Sequence, residues 1–416
     1  MKYFLTNKRR PALWRLALVA ALCMPGLAAQ AQTVAPGALP GPAAIDAATR
    51  QAQPQPSQNL PDKHQGKGAF RTPVWSPDGG KIAFIYDSNA NMEVYVSEAD
   101  GSNPVNVSNS PGMDVWPAWR PDGKALAFMS NRNGPVDICT VNADGADLKC
   151  VTAESKKSAG RRWDDRFPVW RPDGRAIAYC SYRAGYPQVW FMEPDGRNPR
   201  LFVEGTKIKE QEKKEFTAAD TCYPHYSANG RTLAFASRGD IYTMDLKTGR
   251  TKNVTAPLIR GNMVDDTMPT WAPRGNRLAF IARFEAYQSE VYTISSSGKQ
   301  VRRITDNLLE DFLPAWTPDG KGLVYAGYVR GRQPELFIAN PMGPLEPAKR
   351  LTDNFDLEMY PAISPDGEKI IFVRRVRGRD ELYIMSKNGE VDGQPARQFF
   401  PNGFSPMARA AAATRR

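Results

Sequence analysis

The chain has 416 residues, 41% hydrophobic and 10% aromatic, with 35 Pro and 33 Gly, a composition that excludes a collagen-like or wholly disordered protein. Its 55 basic and 44 acidic residues give a formal charge of +11. Only two histidines occur, His64 and His225, which excludes a His-rich metal centre or a cluster of histidine acid–base catalysts.

Residues 1–31 read as a secretory signal peptide. Lys2, Lys8, Arg9, Arg10 and Arg15 precede an apolar run beginning at residue 16, and Ala29-Gln30-Ala31 is an A-x-A cleavage site. The apolar run is too short to span a bilayer, so the protein reads as not membrane-spanning. A lipid anchor through Cys23 is disfavoured by Leu22, where a small residue is expected. The signal removes five basic and no acidic residues, so much of the basicity is an address. The remaining basic runs, Lys156-Lys157 with Arg161-Arg162, Lys213-Lys214, and Arg374-Arg375 with Arg377 and Arg379, read as solvated loops, and an exported chain is not expected to bind nucleic acid. Residues 32–67, rich in Ala, Pro and Gln, cannot bury enough surface to order and form a disordered tether.

From residue 68 the sequence repeats. Trp75-Ser76-Pro77-Asp78-Gly79, Trp119-Arg120-Pro121-Asp122-Gly123 and Trp170-Arg171-Pro172-Asp173-Gly174 each follow a proline two residues upstream. Tyr226-Ser227-Ala228-Asn229-Gly230 and Trp271-Ala272-Pro273-Arg274-Gly275 are degenerate copies. Trp316-Thr317-Pro318-Asp319-Gly320 and Ile363-Ser364-Pro365-Asp366-Gly367 complete the set. Successive motifs lie 44, 51, 56, 45, 45 and 47 residues apart. Pro-Asp-Gly makes the tight turn after a first strand. Runs such as Lys81–Tyr86 and Met92–Val96 supply the second and third strands, and Asp100-Gly101, Asp144-Gly145 and Asp195-Gly196 mark hairpins. The short fourth strand ends in Val or Ile followed by Thr, as in Val151-Thr152, Val254-Thr255 and Ile304-Thr305. Seven such units predict an all-β, seven-bladed β-propeller over residues 68–402, four antiparallel strands per blade, with a disordered basic tail at 403–416. The motif aromatic is expected to pack between neighbouring blades. Because the last unit ends with its own fourth strand near Gln398-Phe399-Phe400, blade seven is expected to close on blade one without strand exchange.

These motifs resemble the Ser-Pro-Asp-Gly, WD-like repeat of the TolB-type periplasmic propellers and are similar to the propellers of the prolyl oligopeptidase and dipeptidyl peptidase families. The resemblance covers residues 68 to about 400. TolB itself has six blades behind an α/β domain, whereas seven units here follow a short tether. The resemblance implies a periplasmic, monomeric, non-catalytic scaffold that binds an envelope protein, with a peptidoglycan-associated lipoprotein as a family precedent. No G-x-S-x-G nucleophile elbow occurs in the chain. The alternative is a secreted propeller enzyme of polysaccharide lyase or lactonase type, using a carboxylate-bound divalent metal in the central channel. His225, at a first-strand position, reads as a packed core residue rather than a ligand.

Four cysteines remain after the signal, an even count suited to an oxidising compartment. Cys139 and Cys150 flank the Asp144-Gly145 turn and are expected to pair, as hairpin disulfides do in the resembling dipeptidyl peptidase propellers. Cys180 and Cys222, in consecutive units, form a second expected pair, with buried free thiols as the alternative.

One constellation repeats with the blades. Three residues before the motif proline stand Asp114, Asp165, Asp266, Asp311 and Glu358, with Asp220 displaced by one in the fourth unit and Phe70 in the first. Seven-fold architecture is expected to place these acids in a ring at one mouth of the channel. There they would hold Ca²⁺ or a partner's basic groups, or pair with arginines of the loop between second and third strands: Arg132, Arg183, Arg238, Arg283, Arg330 and Arg375. Pairing is the favoured role, since blade one lacks both members. Beyond such a Ca²⁺ site no cofactor is expected.

Overall fold

The computed structural model describes residues 68–88, 91–153, 160, 163–202, 221–256, 263–284, 289–306, 310–329, 333–342, 347–390 and 393–404. The signal peptide, the tether, His64, Asp220, Arg330 and most of the basic runs lie outside them.

Seven four-stranded antiparallel sheets follow one another in sequence. The first and last strands of each are β1 (Ala69–Trp75) and β4 (Val105–Asn106), β5 (Asp114–Trp119) and β8 (Lys149–Cys150), β9 (Asp165–Trp170) and β12 (Arg200–Leu201), β13 (Thr221–Tyr226) and β16 (Thr251–Asn253), β17 (Met263–Trp271) and β20 (Arg302–Arg303), β21 (Asp311–Trp316) and β24 (Lys349–Arg350), and β25 (Leu357–Ile363) and β28 (Arg397–Gln398). Every sheet uses only its own unit's strands, so the protein is a seven-bladed propeller without strand exchange. No helix among the described residues is long and apolar enough to cross a membrane.

The repeat motif explains the blade. Seven glycines, from Gly79 to Gly367, take φ between 64° and 85° to turn the chain from first to second strand. The Asp78 carboxylate accepts from the Gly80 N–H and the Ser76 hydroxyl, an Asx-type closure repeated by Asp122, Asp173, Asp319 and Asp366. Asn229 keeps the same bond in its degenerate copy. The first strands neighbour one another around the axis, because their aromatics bond from blade to blade. The indole N–H groups of Trp119, Trp170 and Trp316 donate to the carbonyls of Val74, Ala118 and Thr270 of the preceding blade, and Trp75 donates to Ala362 of blade seven at 3.1 Å, closing the ring. Between blades the core is built from second-strand residues such as Phe84, Phe128, Tyr179, Phe235, Phe280 and Phe372, all fully buried.

Both expected disulfides form. Cys139 and Cys150 are direct cross-strand partners within blade two, and Cys180 joins blade three to Cys222 of β13 in blade four. Chain-entropy arithmetic gives about 3 kcal/mol for the shorter loop and about 4 kcal/mol for the longer.

The expected tail begins too early. Phe404 packs on Phe70, Tyr86 and Tyr95 of blade one, with ring centroids 5.2, 4.6 and 5.1 Å away, and on Phe400 at 5.0 Å. The chain therefore crosses from blade seven onto blade one after its last strand. Loss of the strand pattern at Pro401 does not end the fold, because one aromatic side chain can dock without backbone pairing.

Candidate functional site at the channel mouth

The five repeat carboxylates share one register position at the start of the first strand. Asp114 lies opposite Ser130 of the second strand, Asp165 opposite Ser181, Asp266 opposite Ala282, Asp311 opposite Gly327 and Glu358 opposite Arg374. All five are buried, at most 1% exposed, rather than displayed around an opening. Asp311 is packed within its own blade: a Cβ added to Gly327 would come within 2.4 Å of its Oδ1. Among the described residues no group of three or more His, Cys, Asp or Glu side chains gathers in a form suited to a metal ion.

The arginines divide. Arg132 lies 3.2 Å from Asp114, which also accepts from the Ser110 hydroxyl at 2.8 Å. Glu358 is bonded by Arg374 at 2.8 Å, not by Arg375, which pairs with Asp380 at 2.9 Å. Strand alternation explains this correction, since Arg374 is the cross-strand partner of Glu358 and its neighbour Arg375 points to the opposite face toward its own partner, Asp380. In the same way Arg283 stands opposite Asp265 and lies 3.5 Å from it, one residue away from Asp266. Arg183 bonds Ser181 and Tyr179 instead of forming an ion pair with Asp165. Arg238 occupies the first position of the Arg238-Gly239 turn, with φ 51°, in the blade where Thr221 replaces the acid.

A second set of buried acids starts the third strands and was not singled out from sequence. In four blades a hydroxyl just past the fourth strand donates to this acid: Ser108 to Glu93, Thr152 to Asp137, Thr305 to Glu290 and Thr352 to Glu335. The same oxygen accepts a third-strand backbone N–H, at 2.9 Å in each. The recurrent Val/Ile-Thr ending was visible in the sequence; its acid was not, because the two are 15 or more residues apart. Thr352 also lies 3.2 Å from Glu358, so the two sets of acids meet across the seam between blades six and seven. One hydroxyl proton cannot serve both. Burial, with Glu335 beside it, pushes Glu358 up to about 8 despite Arg374, whose charge is shared with Glu390 at 2.7 Å. Asp114 and the third-strand acids thus make polar contacts within their blades, and Glu358 makes one across a seam.

What the sequence did not reveal is a collar. In every blade the residue before the motif proline has a left-handed backbone: Thr72, Trp116, Phe167, Tyr223, Met268, Leu313 and Tyr360, with φ from 39° to 57°. Each sits in a β-bulge, and the first strand, as a sheet edge, tolerates the proline that follows. Left-handed non-glycine residues cost about 1–3 kcal/mol each and concentrate at working sites. Here the bulge takes the residue out of strand alternation. Trp116 meets Phe167 at 5.4 Å and Phe167 meets Tyr223 at 4.7 Å, blade to blade, and six of the seven are only partly buried. Burial pushes the pKa of His225 down to about 4, and its Nδ1 accepts the Trp271 backbone N–H at 3.3 Å.

A ring of seven such blades, each opened by the same motif, defines a repeat-built propeller of the WD-like class. The TolB beta propeller domain model matches residues 59–167 and 218–394, and the chain belongs to that family. The Tol-Pal system protein TolB of Thioalkalivibrio sulfidiphilus is 34% identical over 59 residues, 13% of this chain and 14% of the relative's length. Among solved structures, the β-propeller domain of the Trilobed protease from Pyrococcus furiosus, described as having an open velcro topology, is 13% identical over 80% of this chain and 95% of its own, with a TM-score of 0.55. A puromycin-hydrolyzing peptidase of Mycobacterium tuberculosis is 14% identical, covering 80% of this chain and 52% of that one, with a TM-score of 0.59. Oligogalacturonate lyase from Vibrio parahaemolyticus is 13% identical, covering 77% and 89%, with a TM-score of 0.55. At these identities the structures share the fold.

Proposed function

We propose that the protein is a non-catalytic scaffold of the cell envelope whose channel-mouth face docks a protein partner. The collar carries this reading: seven residues with strained backbones and mostly large apolar side chains recur at one first-strand position, six of them only partly buried, where a core role alone would not need the same backbone strain seven times. Membership of the TolB domain family and the similarity to a protein of the Tol-Pal system support an envelope partner, with a peptidoglycan-associated lipoprotein as the family precedent. Two disulfides support export and a periplasmic location. Asp114, Glu358 and the third-strand acids, engaged with hydroxyls and arginines, fit struts better than a metal or ligand ring.

The test is in-cell photo-crosslinking with p-benzoylphenylalanine at Phe167, and at Asp366 on the opposite, turn-bearing face. A discrete protein adduct at Phe167 but not at Asp366 is expected. Equal adducts at both positions, or one confined to Asp366, would remove the docking face from the channel mouth.

A further inference from the structure

The loop between the second and third strands of blade three, residues 182–187, departs from its counterpart in blade two. There, Arg132 turns inward, its Nε donating to Ser130 Oγ at 2.8 Å and its Nη2 reaching Asp114. Arg183 is the equivalent residue. It keeps the bond to Ser181 Oγ at 3.0 Å, but its Nη2 donates to Tyr179 Oη at 3.0 Å. Its guanidinium lies 3.7 Å from the Trp190 ring centroid and 5.3 Å from that of Trp163. Two hydroxyls and two indoles thus fix the guanidinium plane. Its Nη1 makes no hydrogen bond to any described residue and is not buried.

The surroundings belong to the docking face. The Tyr182 N–H bonds the Asp164 carbonyl at the start of blade three, and the Thr221 N–H bonds the Pro187 carbonyl, which ties the loop to blade four. Three of the collar's four aromatic members, Trp116, Phe167 and Tyr223, come from blades two to four and touch one another in turn, while Tyr360 stands in blade seven. On the same loop Tyr186 is 41% exposed, one of three large apolar or aromatic side chains so exposed among the described residues.

From this geometry we infer that blade three holds the specificity anchor of the docking face, with Arg183 binding a carboxylate of a partner protein segment and Tyr186 packing on an apolar residue beside it. A guanidinium already immobilised loses little entropy when it binds, and an amino edge without a partner among the described residues takes a carboxylate oxygen with a charge-assisted bond. Tyr, Trp and Arg at one spot are the composition of an interface hot spot. The inference rests on the scaffold reading above and adds the chemistry and the sector of the mouth.

The experiment places p-benzoylphenylalanine at Tyr186 or at Phe167 in cells, with Arg183 intact, Arg183→Lys or Arg183→Gln. With Arg183 intact, both positions should give the same protein adduct. Arg183→Gln and Arg183→Lys should each lower the Tyr186 adduct by about tenfold or more, the scale of losing one charge-assisted bond, with the fold retained by circular dichroism. Tyr186→Glu, a change at an exposed side chain, should lower the Phe167 adduct by repelling the partner's carboxylate even if an Arg183 variant fails to fold. An undiminished adduct in the Arg183 variants together with an unaffected Phe167 adduct in Tyr186→Glu would overturn the inference and leave the scaffold reading intact. An adduct at Tyr186 that is removed by glycosidase rather than protease would assign the anchor to an anionic polysaccharide and also overturn it. No adduct at either position with Arg183 intact would overturn both.

Discussion

Blade seven meets its two neighbours in opposite ways. Toward blade six the seam is polar and titratable: Glu335, Thr352, Glu358, Arg374 and Glu390 form one connected network. Toward blade one the carboxylate position is taken by Phe70, which stacks on Phe400 at 5.5 Å and packs on Tyr86 and Phe404 at 5.0 and 5.2 Å. Polar contacts there are few among the described residues: the Trp75 indole bond to Ala362, and Arg71 lying 3.9 Å from Asp380. The difference follows from connectivity. Blades six and seven are joined by the chain, so a hydroxyl and an acid near that connection are brought together locally. Blades seven and one are not consecutive in the chain and meet mainly by packing, and a non-directional aromatic contact buries more apolar area without demanding exact register.

Breaking the aromatic side should have the largest effect. Phe70→Ala is expected to cost about 3–5 kcal/mol, read from urea unfolding, because the cavity opens in the one seam between blades that do not follow each other in the chain. Loss below about 1 kcal/mol would place closure elsewhere. The seam between blades three and four supplies a covalent scale: Cys180→Ser with Cys222→Ser should lower stability by about 4 kcal/mol under non-reducing conditions, and the wild type should match the variant once reduced.

The polar side should respond to pH. Glu358 keeps its proton up to about 8 in the folded state, whereas the unfolded carboxyl releases it near 4.5. Across that window the unfolded state binds fewer protons, so this group's contribution to stability falls as pH rises. Glu358→Gln should flatten the slope and raise the melting temperature relative to wild type more at pH 8 than at pH 5. His225 acts in the other direction: depressed to about 4 from 6.5, it withdraws stability as pH falls below 6.5, and His225→Gln should soften that acid loss in a thermal scan. The smallest effect expected is from Trp75→Phe, about 1 kcal/mol by the same unfolding assay, since it removes one neutral hydrogen bond while keeping an aromatic ring.

How much of this was legible varies with the range of the physics involved. The motif encodes its turn within five residues, so five Pro-Asp-Gly copies and two degenerate ones give seven blades directly. Cys139 and Cys150 flank one hairpin and are equally local. The depth of Asp114, Asp165, Asp266, Asp311 and Glu358 was not legible, because spacing from a proline fixes a position along a strand and says nothing of what packs over it. The Arg374 and Arg375 exchange shows the same limit at one-residue resolution: which of two adjacent side chains faces the acid depends on hairpin register. Thr72, Trp116, Phe167, Tyr223, Met268, Leu313 and Tyr360 share no chemistry that demands a left-handed backbone. Their one common signal, a mostly large apolar residue before a repeated proline, acquires meaning only when the blades form a ring. Phe404 was missed because a single docking ring has no periodicity.

Hydrogen exchange in the full-length protein and in Phe404→Ala tests closure most directly. If aromatic packing after the last strand holds the ring shut, the variant should lose amide protection in β1 and β25 while β13 and β17 keep theirs. Unchanged protection in β1 and β25, or an equal loss in all seven blades, would contradict closure by that contact.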